Sequence, residues 1–288
     1  MLDLVSANIK VDDIKFPAIE RRQIILGIAR FDLIHPVVSG NKLFKLYYYL
    51  KDALAENKSV TTFGGYFSNH LAATAYACKE LGIKCKGYVN GEKPENLSAT
   101  LLHCMQFGMD LEFISREEYR KIKYNEIKSS SILIPEGGYS EKGKQGAALM
   151  YNSIKDLNAD FICLSVGSAT TLSGILSVAG RVKVLAFPAI KNMTDIPERL
   201  NNLKCEVKDT FEIINDYHFG GFSKTNRQLL QFMQEFYDNF SVKTDIVYTG
   251  KMMYGISDLI NKNYFPDKSK IVVIHSGGLQ GNPENLFL

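Results

Sequence analysis

Short apolar or β-branched runs alternate with helix-period stretches along this chain, and few ways of folding accommodate that order. Leu43, Leu46, Tyr47, Leu50 and Leu54 recur at helical spacing. A β-branched run at 60–63 follows and is stopped by Gly64 and Gly65. The Ala-rich stretch 71–81 reads as a helix, with Gly82 as its stop. Residues 83–89 alternate apolar with polar side chains as a strand does, 97–107 is helical up to Gly108, and 109–114 alternates again. The order over 43–114 is therefore α-β-α-β-α-β, with links short enough for a compact parallel sheet. A charged helix is expected around 116–128, after which the alternation resumes. Strands are expected near 132–134, 161–166, 182–187 and 271–274. Helices are expected up to about 157, around 172–179, near 195–203, over about 224–239 and after Tyr248. Residues 1–40, interrupted by Pro17 and Pro36, read as irregular. Two alternating halves predict an α/β protein of two doubly wound, mostly parallel sheets, with ligands at the carboxyl ends of the strands.

Composition narrows the function classes. With 34 basic and 31 acidic residues the net charge is only +3, which gives no electrostatic case for nucleic acid or an anionic membrane. Residues 161–180 carry no charge over a span long enough to cross a bilayer, but they are rich in Ser, Thr and Gly and break at Gly167. A strand, a turn and a helix account for them better. Residues 1–15 are charged throughout and show no secretory pattern. Cys78, Cys85, Cys104, Cys163 and Cys205 form no CxxC pair, so reduced thiols and a cytoplasmic protein are expected, with Cys85 and Cys163 as small core residues. The histidines form no HxH or HExxH pair, and no metal is expected.

The chemistry gathers in Gly- and hydroxyl-rich turns. Ser39-Gly-Asn-Lys42-Leu-Phe-Lys45 runs straight into the first long helix, with Ser39 or Asn41 as candidate cap. A lysine at a helix start sits against the positive end of the peptide dipoles, which favours the neutral amine that imine formation needs. The plain alternative is a solvated lysine. Gly64-Gly65-Tyr-Phe-Ser68-Asn69 and Val166-Gly167-Ser168-Ala169-Thr170-Thr171 each link a strand to a helix, and the second reads as an anion cup of backbone N–H groups and hydroxyls. It lacks the lysine of a P-loop and does not match GxGxxG. Tyr248-Thr249-Gly250-Lys251 and His275-Ser276-Gly277-Gly278 are further such turns. A reactive lysine, a phosphate cup and hydroxyl-lined loops together point to a pyridoxal-phosphate enzyme.

Taken in order, Ser-Gly-Asn-Lys-x-x-Lys-Leu, Gly-Gly-x-x-Ser-Asn-His, Pro-Glu-Gly-Gly, Val-Tyr-Thr-Gly-Lys and His-Ser-Gly-Gly-Leu-x-Gly span about 39–281. They resemble the D-cysteine desulfhydrase/1-aminocyclopropane-1-carboxylate deaminase family, members of the fold type II pyridoxal-phosphate enzymes. The resemblance implies a small domain at 43–128 inserted into a larger one of 1–42 and 129–288, with pyridoxal 5'-phosphate in the cleft. It implies that Lys42 is the Schiff-base lysine and that Lys45 reaches the phosphate. Asn69 would lie against the cofactor ring or bond its 3′-oxygen, Ser68 would face the substrate, and Ser168, Ala169, Thr170 and Thr171 would line the phosphate cup. Tyr248 would point at the reacting carbons and Thr249 would sit by the pyridine nitrogen, with Ser276 as the alternative at that nitrogen. Ala169 and Thr170 replace glycines of the commoner cup, and a positive φ at either would be strained.

The family's ring-opening deaminases carry Glu where this chain has Thr249. A neutral hydroxyl leaves the pyridine nitrogen a weaker electron sink than a carboxylate does, which ranks α,β-elimination from a small amino acid such as D-cysteine first. Ring-opening deamination of 1-aminocyclopropane-1-carboxylate is the alternative, and a non-catalytic pyridoxal-phosphate protein a second one. Because the released aminoacrylate hydrolyses to pyruvate and ammonia, both lyase and hydrolase are carried as descriptions. A small amino-acid substrate and a homodimer are expected, with no nucleic-acid or membrane partner.

Overall fold

The structure is a computed structural model that describes residues 1–38, 40–124, 131–206, 209–283 and 286–287, without the side chains of 123 and 124. Ser39 and the 125–128 part of the expected charged helix lie outside the described residues. The strands are β1 (Val11–Ile14), β2 (Ile25–Ala29), β3 (Ser59–Gly64), β4 (Cys85–Asn90), β5 (Met109–Ile114), β6 (Ser131–Ile134), β7 (Phe161–Val166), β8 (Lys183–Pro188), β9 (Phe211–Ile213) and β10 (Lys270–Ile274). The helices are α1 (Pro17–Arg21), α2 (Asn41–Ala55), α3 (Asn69–Glu80), α4 (Ala99–Gln106), α5 (Arg116–Tyr124), α6 (Glu141–Asn152), α7 (Thr170–Val178), α8 (Ile196–Asn202), α9 (Arg227–Phe240) and α10 (Thr249–Asn261).

Two sheets result, in the orders β1-β2-β10-β7-β8-β9 and β5-β4-β3-β6. Every pairing is parallel except β1 with β2. The α/β architecture with two mostly parallel sheets is as expected. The smaller sheet, however, extends to Ile134, past the domain boundary expected at 128, because β6 pairs in register with β3 through Thr62↔Ile134. Residues 1–40 are not irregular. Ile25–Ala29 forms a central strand whose Ile-Leu-Gly-Ile-Ala run is too short for its period to show, and its neighbours β1 and β10 stabilise it. β9 likewise has only the Phe-Glu-Ile run of 211–213 to announce it.

One apolar cluster runs continuously from Val60, Val89 and Ile134 of the smaller sheet to Ile162, Leu164, Val272 and Ile274 of the larger. Leu43, Phe44, Leu46 and Leu50 of α2 belong to it and are fully buried. Burying each such side chain contributes about 1.5–3 kcal/mol, so α2 is an internal strut and not a surface helix. Glycines bring the strut close to its neighbours: a Cβ on Gly146 of α6 would collide with the Phe44 carbonyl oxygen. A Cβ on Gly174 of α7 would meet the Ala147 methyl at 2.7 Å. The start of α7 is thereby held near the start of α2. The uncharged stretch 161–180 is β7, a turn and α7, and among the described residues no helix is long and apolar enough to cross a membrane.

Candidate active site

Lys42 is the second residue of α2 and is part-buried. The helix N-cap is Gly40, at φ 64°, with no side-chain capping bond. Asn41 does not cap, because its side chain is drawn elsewhere: its Oδ1 accepts from Lys42 Nζ at 2.7 Å, and its Nδ2 donates to Thr171 Oγ1 at 2.9 Å. Burial lowers the Lys42 pKa to about 8, against the pull of the Asp245 carboxylate in the other direction. Lys45, one turn on, is 5% exposed. Its Nζ donates to Gly137 O at 3.2 Å and Ser168 Oγ at 3.4 Å, both neutral. Burial, and then the repulsion of Lys42, push it well below the usual lysine range.

The 167–171 turn completes this corner. Ser168 Oγ lies 2.9 Å from Thr170 Oγ1, and α7 begins at Thr170, so its first N–H groups have no partner within the helix. Ala169 is left-handed at φ 66° and buried, and the strain foreseen there is real. Thr170 is already helical and carries none. Relieving a left-handed alanine is worth about 1 kcal/mol, so Ala169→Gly is expected to raise the melting temperature of the protein in a thermal scan. A fall would mean that the methyl's packing outweighs the strain. Two lysine amines, with no carboxylate set against Lys45 among the described residues, together with hydroxyls and a helix start are the donor set of an anion site, and the phosphate of pyridoxal phosphate fits it.

Ser68 caps α3, its Oγ accepting from Leu71 N at 3.2 Å, and Asn69 opens that helix part-exposed. Gly64 is required beneath it, since a Cβ would stand 2.5 Å from Ser68 Oγ. His70 is a group whose role the sequence did not disclose. Thr62 Oγ1 donates to Ile134 O at 2.9 Å and therefore accepts from His70 Nε2, also at 2.9 Å. The other ring nitrogen, Nδ1, is buried without a partner among the described residues. Burial first, then Lys45 and Lys42, lower the His70 pKa to about 3, so the imidazole is neutral.

Asp245, also missed, organises the Tyr248 turn. Its Oδ2 accepts from Val247 N at 3.0 Å and Tyr248 N at 2.9 Å, and its Oδ1 from Thr249 N at 2.8 Å and Thr249 Oγ1 at 2.7 Å. Thr249 Oγ1 accepts in turn from Asp245 N at 2.7 Å, and Thr249 is 0% exposed. Its one hydroxyl hydrogen is spent on Asp245, which closes the start of α10. An Asp a few residues ahead of a helix is a capping signal that could have been read from the sequence. Tyr248 meets the 167–171 turn: a Cβ on Gly167 would lie 3.2 Å from its ring. Phe222 packs edge-on against Tyr248 at 6.1 Å, a contact between segments far apart in sequence. Burial, then Asp245 and Glu136, raise the Tyr248 pKa, so the phenol keeps its proton.

Ser276 follows β10 part-buried, and its hydroxyl makes no hydrogen bond among the described residues. Its carbonyl accepts from Asn41 N at 3.4 Å, next to Lys42. Hydrogen bonds thus join Lys42, Asn41 and Thr171 in one set and Lys45, Ser168 and Thr170 in another, meeting at the 168–171 turn, while Tyr248 and Ser276 border the same corner. Lys251 points elsewhere, donating to His218 O at 2.9 Å and Gly221 O at 2.6 Å.

A family model described as "Pyridoxal-phosphate dependent enzyme" matches residues 28–277. The "Putative 1-aminocyclopropane-1-carboxylate deaminase" of Pyrococcus horikoshii is 29% identical over 281 residues, covering 88% of this chain and 84% of that protein. The mitochondrial "Bifunctional D-cysteine desulfhydrase/1-aminocyclopropane-1-carboxylate deaminase" of Arabidopsis thaliana is 29% identical, over 89% of this chain and 73% of that protein. A solved structure of an ACC deaminase homologue superposes with a TM-score of 0.80 at 25% identity, over 96% of this chain and 91% of that one. These findings support pyridoxal-phosphate-dependent elimination and deamination of a small amino acid. They also correct the description of the chain as a hydrolase: the supported chemistry is that of a lyase or deaminase, in which elimination breaks the bond and water acts only on what is released. The match over residues 28–277, on a fold whose 167–171 turn and two lysines suit a phosphate, makes this chain a member of the pyridoxal-phosphate dependent enzyme family.

Proposed function

We propose that the chain is a deaminase that opens 1-aminocyclopropane-1-carboxylate, releasing 2-oxobutyrate and ammonia. The observation that carries the catalytic part is the Lys42 amine, lowered to about 8 and tied through Asn41 to the phosphate corner. Lys42 would hold the cofactor covalently, and Lys45, Ser168 and the N–H groups of 168–171 would hold its phosphate. Asn69 would lie against the ring and Ser276 would meet its nitrogen. Bound pyridoxal phosphate supplies an electron sink for negative charge on the substrate carbon that bears the amine.

The chain's own groups then divide the proton work. The Lys42 amine, once freed by the substrate's amine, is the base. In the cyclopropane substrate the amine-bearing carbon has no hydrogen, so the base acts on a ring methylene. Tyr248, held protonated by burial and by the negative groups near it, donates to the carbon or leaving group. Ser68, with its oxygen accepting from Leu71 N, keeps its hydroxyl hydrogen free to bind the substrate.

Sulfur elimination was ranked first because Thr249 was expected at the ring nitrogen. The Thr249 hydroxyl donates to Asp245, so that ground no longer rests on Thr249, and the names of the relatives favour ring opening. D-Cysteine elimination stands as a second reading on a specific ground: Ser276 is neutral, and a neutral partner does not hold the ring nitrogen charged. Incubating the loaded protein with each substrate tests both. Faster release of 2-oxobutyrate from the cyclopropane amino acid is expected; faster release of pyruvate and sulfide from D-cysteine would establish the second reading instead. A homodimer is the expected assembly, read from the mass in solution.

A further inference from the structure

β2 and β10 are neighbours, and the residues after them form a buried charged cluster that the proposed reaction does not use. Arg30 is 6% exposed and forks onto Asp32, Nε to Oδ1 at 2.9 Å and Nη2 to Oδ2 at 2.7 Å. Its Nη1 reaches Asp12 Oδ2 at 2.5 Å, and Lys10 pairs with the other oxygen of Asp12 at 2.7 Å. On its far side Asp32 Oδ1 is 3.3 Å from His275 Nδ1. His275 is 1% exposed, and its Nε2 lies 2.8 Å from Lys243 O, which only accepts, so Nε2 carries a hydrogen. Nδ1 stands at a fork: Asp32 offers it an acceptor, while Gly277 N–H, at 3.4 Å, offers a donor.

Backbone bonds carry this cluster to the site. His275 N donates to Ala29 O at 3.0 Å, Gly40 N to Phe31 O at 2.8 Å and Asn41 N to Ser276 O at 3.4 Å. A Cβ on Gly40 would collide with the Ser276 carbonyl oxygen, so the two segments touch. Beyond Ser276, a Cβ on Gly278 would lie 3.4 Å from Asp245 Cγ, the other carboxylate facing this turn. Displacing Asp32 therefore displaces Gly40 and Ser276 together, and Lys42 with them. Burying such an ion cluster is weak evidence for stability, since desolvation offsets most of the attraction.

The geometry points to Asp32 and His275 as positioning residues that fix Ser276 relative to Lys42. This rests on the roles proposed for those two residues. The test titrates the visible absorbance of the loaded protein against pH in wild type, Ser276→Ala, Asp32→Asn and His275→Gln. Gln keeps a donor for Lys243 O but loses the Nδ1 contacts. All three variants are expected to shift the midpoint in one direction by about half a pH unit or more. The Asp32 and His275 variants should also lower kcat ~10-fold, with KM within about twofold, as misplacement of reacting groups does. A merely structural role would lower Tm and leave the midpoint and kcat per loaded site unchanged, which overturns the inference. If Asp32→Asn does not fold, His275→Gln decides by the same two readouts. Should Ser276→Ala leave the spectrum unmoved, the assignment of Ser276 fails and the inference with it; a shift there alone sinks only the role of Asp32 and His275.

Discussion

Replacing Lys42 with alanine is expected to leave no lysine that borohydride can tag with pyridoxal phosphate, and to cut turnover by ~10³-fold or more, since the variant loses both the covalent anchor and the base. The wild-type amine has a pH signature. Burial holds it at about 8 instead of 10.5, so the ammonium form predominates at neutral pH and the free amine above about 8. Capture of the cofactor by the stripped protein should accordingly rise through about pH 8 and level off, whereas an ordinary lysine would keep gaining towards 10.5. The profile alone does not identify the residue, because burial also lowers Lys251 to about 8. Peptide mapping after reduction does: a tag on Lys45 or Lys251 would exchange the assignment. Lys251, with two backbone carbonyls accepting from its Nζ, is expected to remain untagged.

Lys45→Met should have two effects of opposite sign. Loss of a charge-assisted bond to phosphate weakens cofactor binding by about 1.5–3 kcal/mol, or roughly ten- to a hundredfold. The stripped protein, by contrast, should become more stable, because a buried amine that must either shed its proton or stay charged with no carboxylate beside it among the described residues is replaced by an apolar chain of similar length. The linkage has a definite sign. Burial and Lys42 depress the Lys45 pKa, so the fold disfavours the charged form, and the wild-type stripped protein gains stability as pH rises from the depressed value towards the usual 10.5. Lys45→Met removes this site's share of that slope. Thermal scans of stripped wild type and variant across alkaline pH, with cofactor titrations at one pH, measure both effects. A variant that loses stability but binds cofactor as tightly as wild type would show that Lys45 is a core residue and the phosphate is held elsewhere.

The alternation of β-branched runs and helical stretches was enough to determine the two parallel sheets, since the period of a pattern states which face is buried without reference to distant residues. The lysine at the head of α2, the hydroxyl-rich turn before α7 and the Tyr248 turn were equally legible, because each is a local sequence of a strand or loop entering a helix. Strands as short as β2 and β9 were not. Their periods span too few residues, and their existence depends on neighbours such as β10 and β8. β6 joined the smaller sheet for the same reason, by pairing with β3 across a long sequence separation. Only the tertiary structure shows how the two candidate hydroxyls for the ring nitrogen, those of Thr249 and Ser276, are partnered. A hydroxyl's identity is written in the sequence, but its partner is settled by competition. Asp245 sits four residues upstream, within reach of Thr249, and accepts a hydrogen bond from its hydroxyl at 2.7 Å. Ser276 sits where β10 ends against Gly40, and no described group competes for its hydroxyl. The neutral state of His70 was likewise decided by the fold, first by burial of the ring and then by the charges of Lys45 and Lys42.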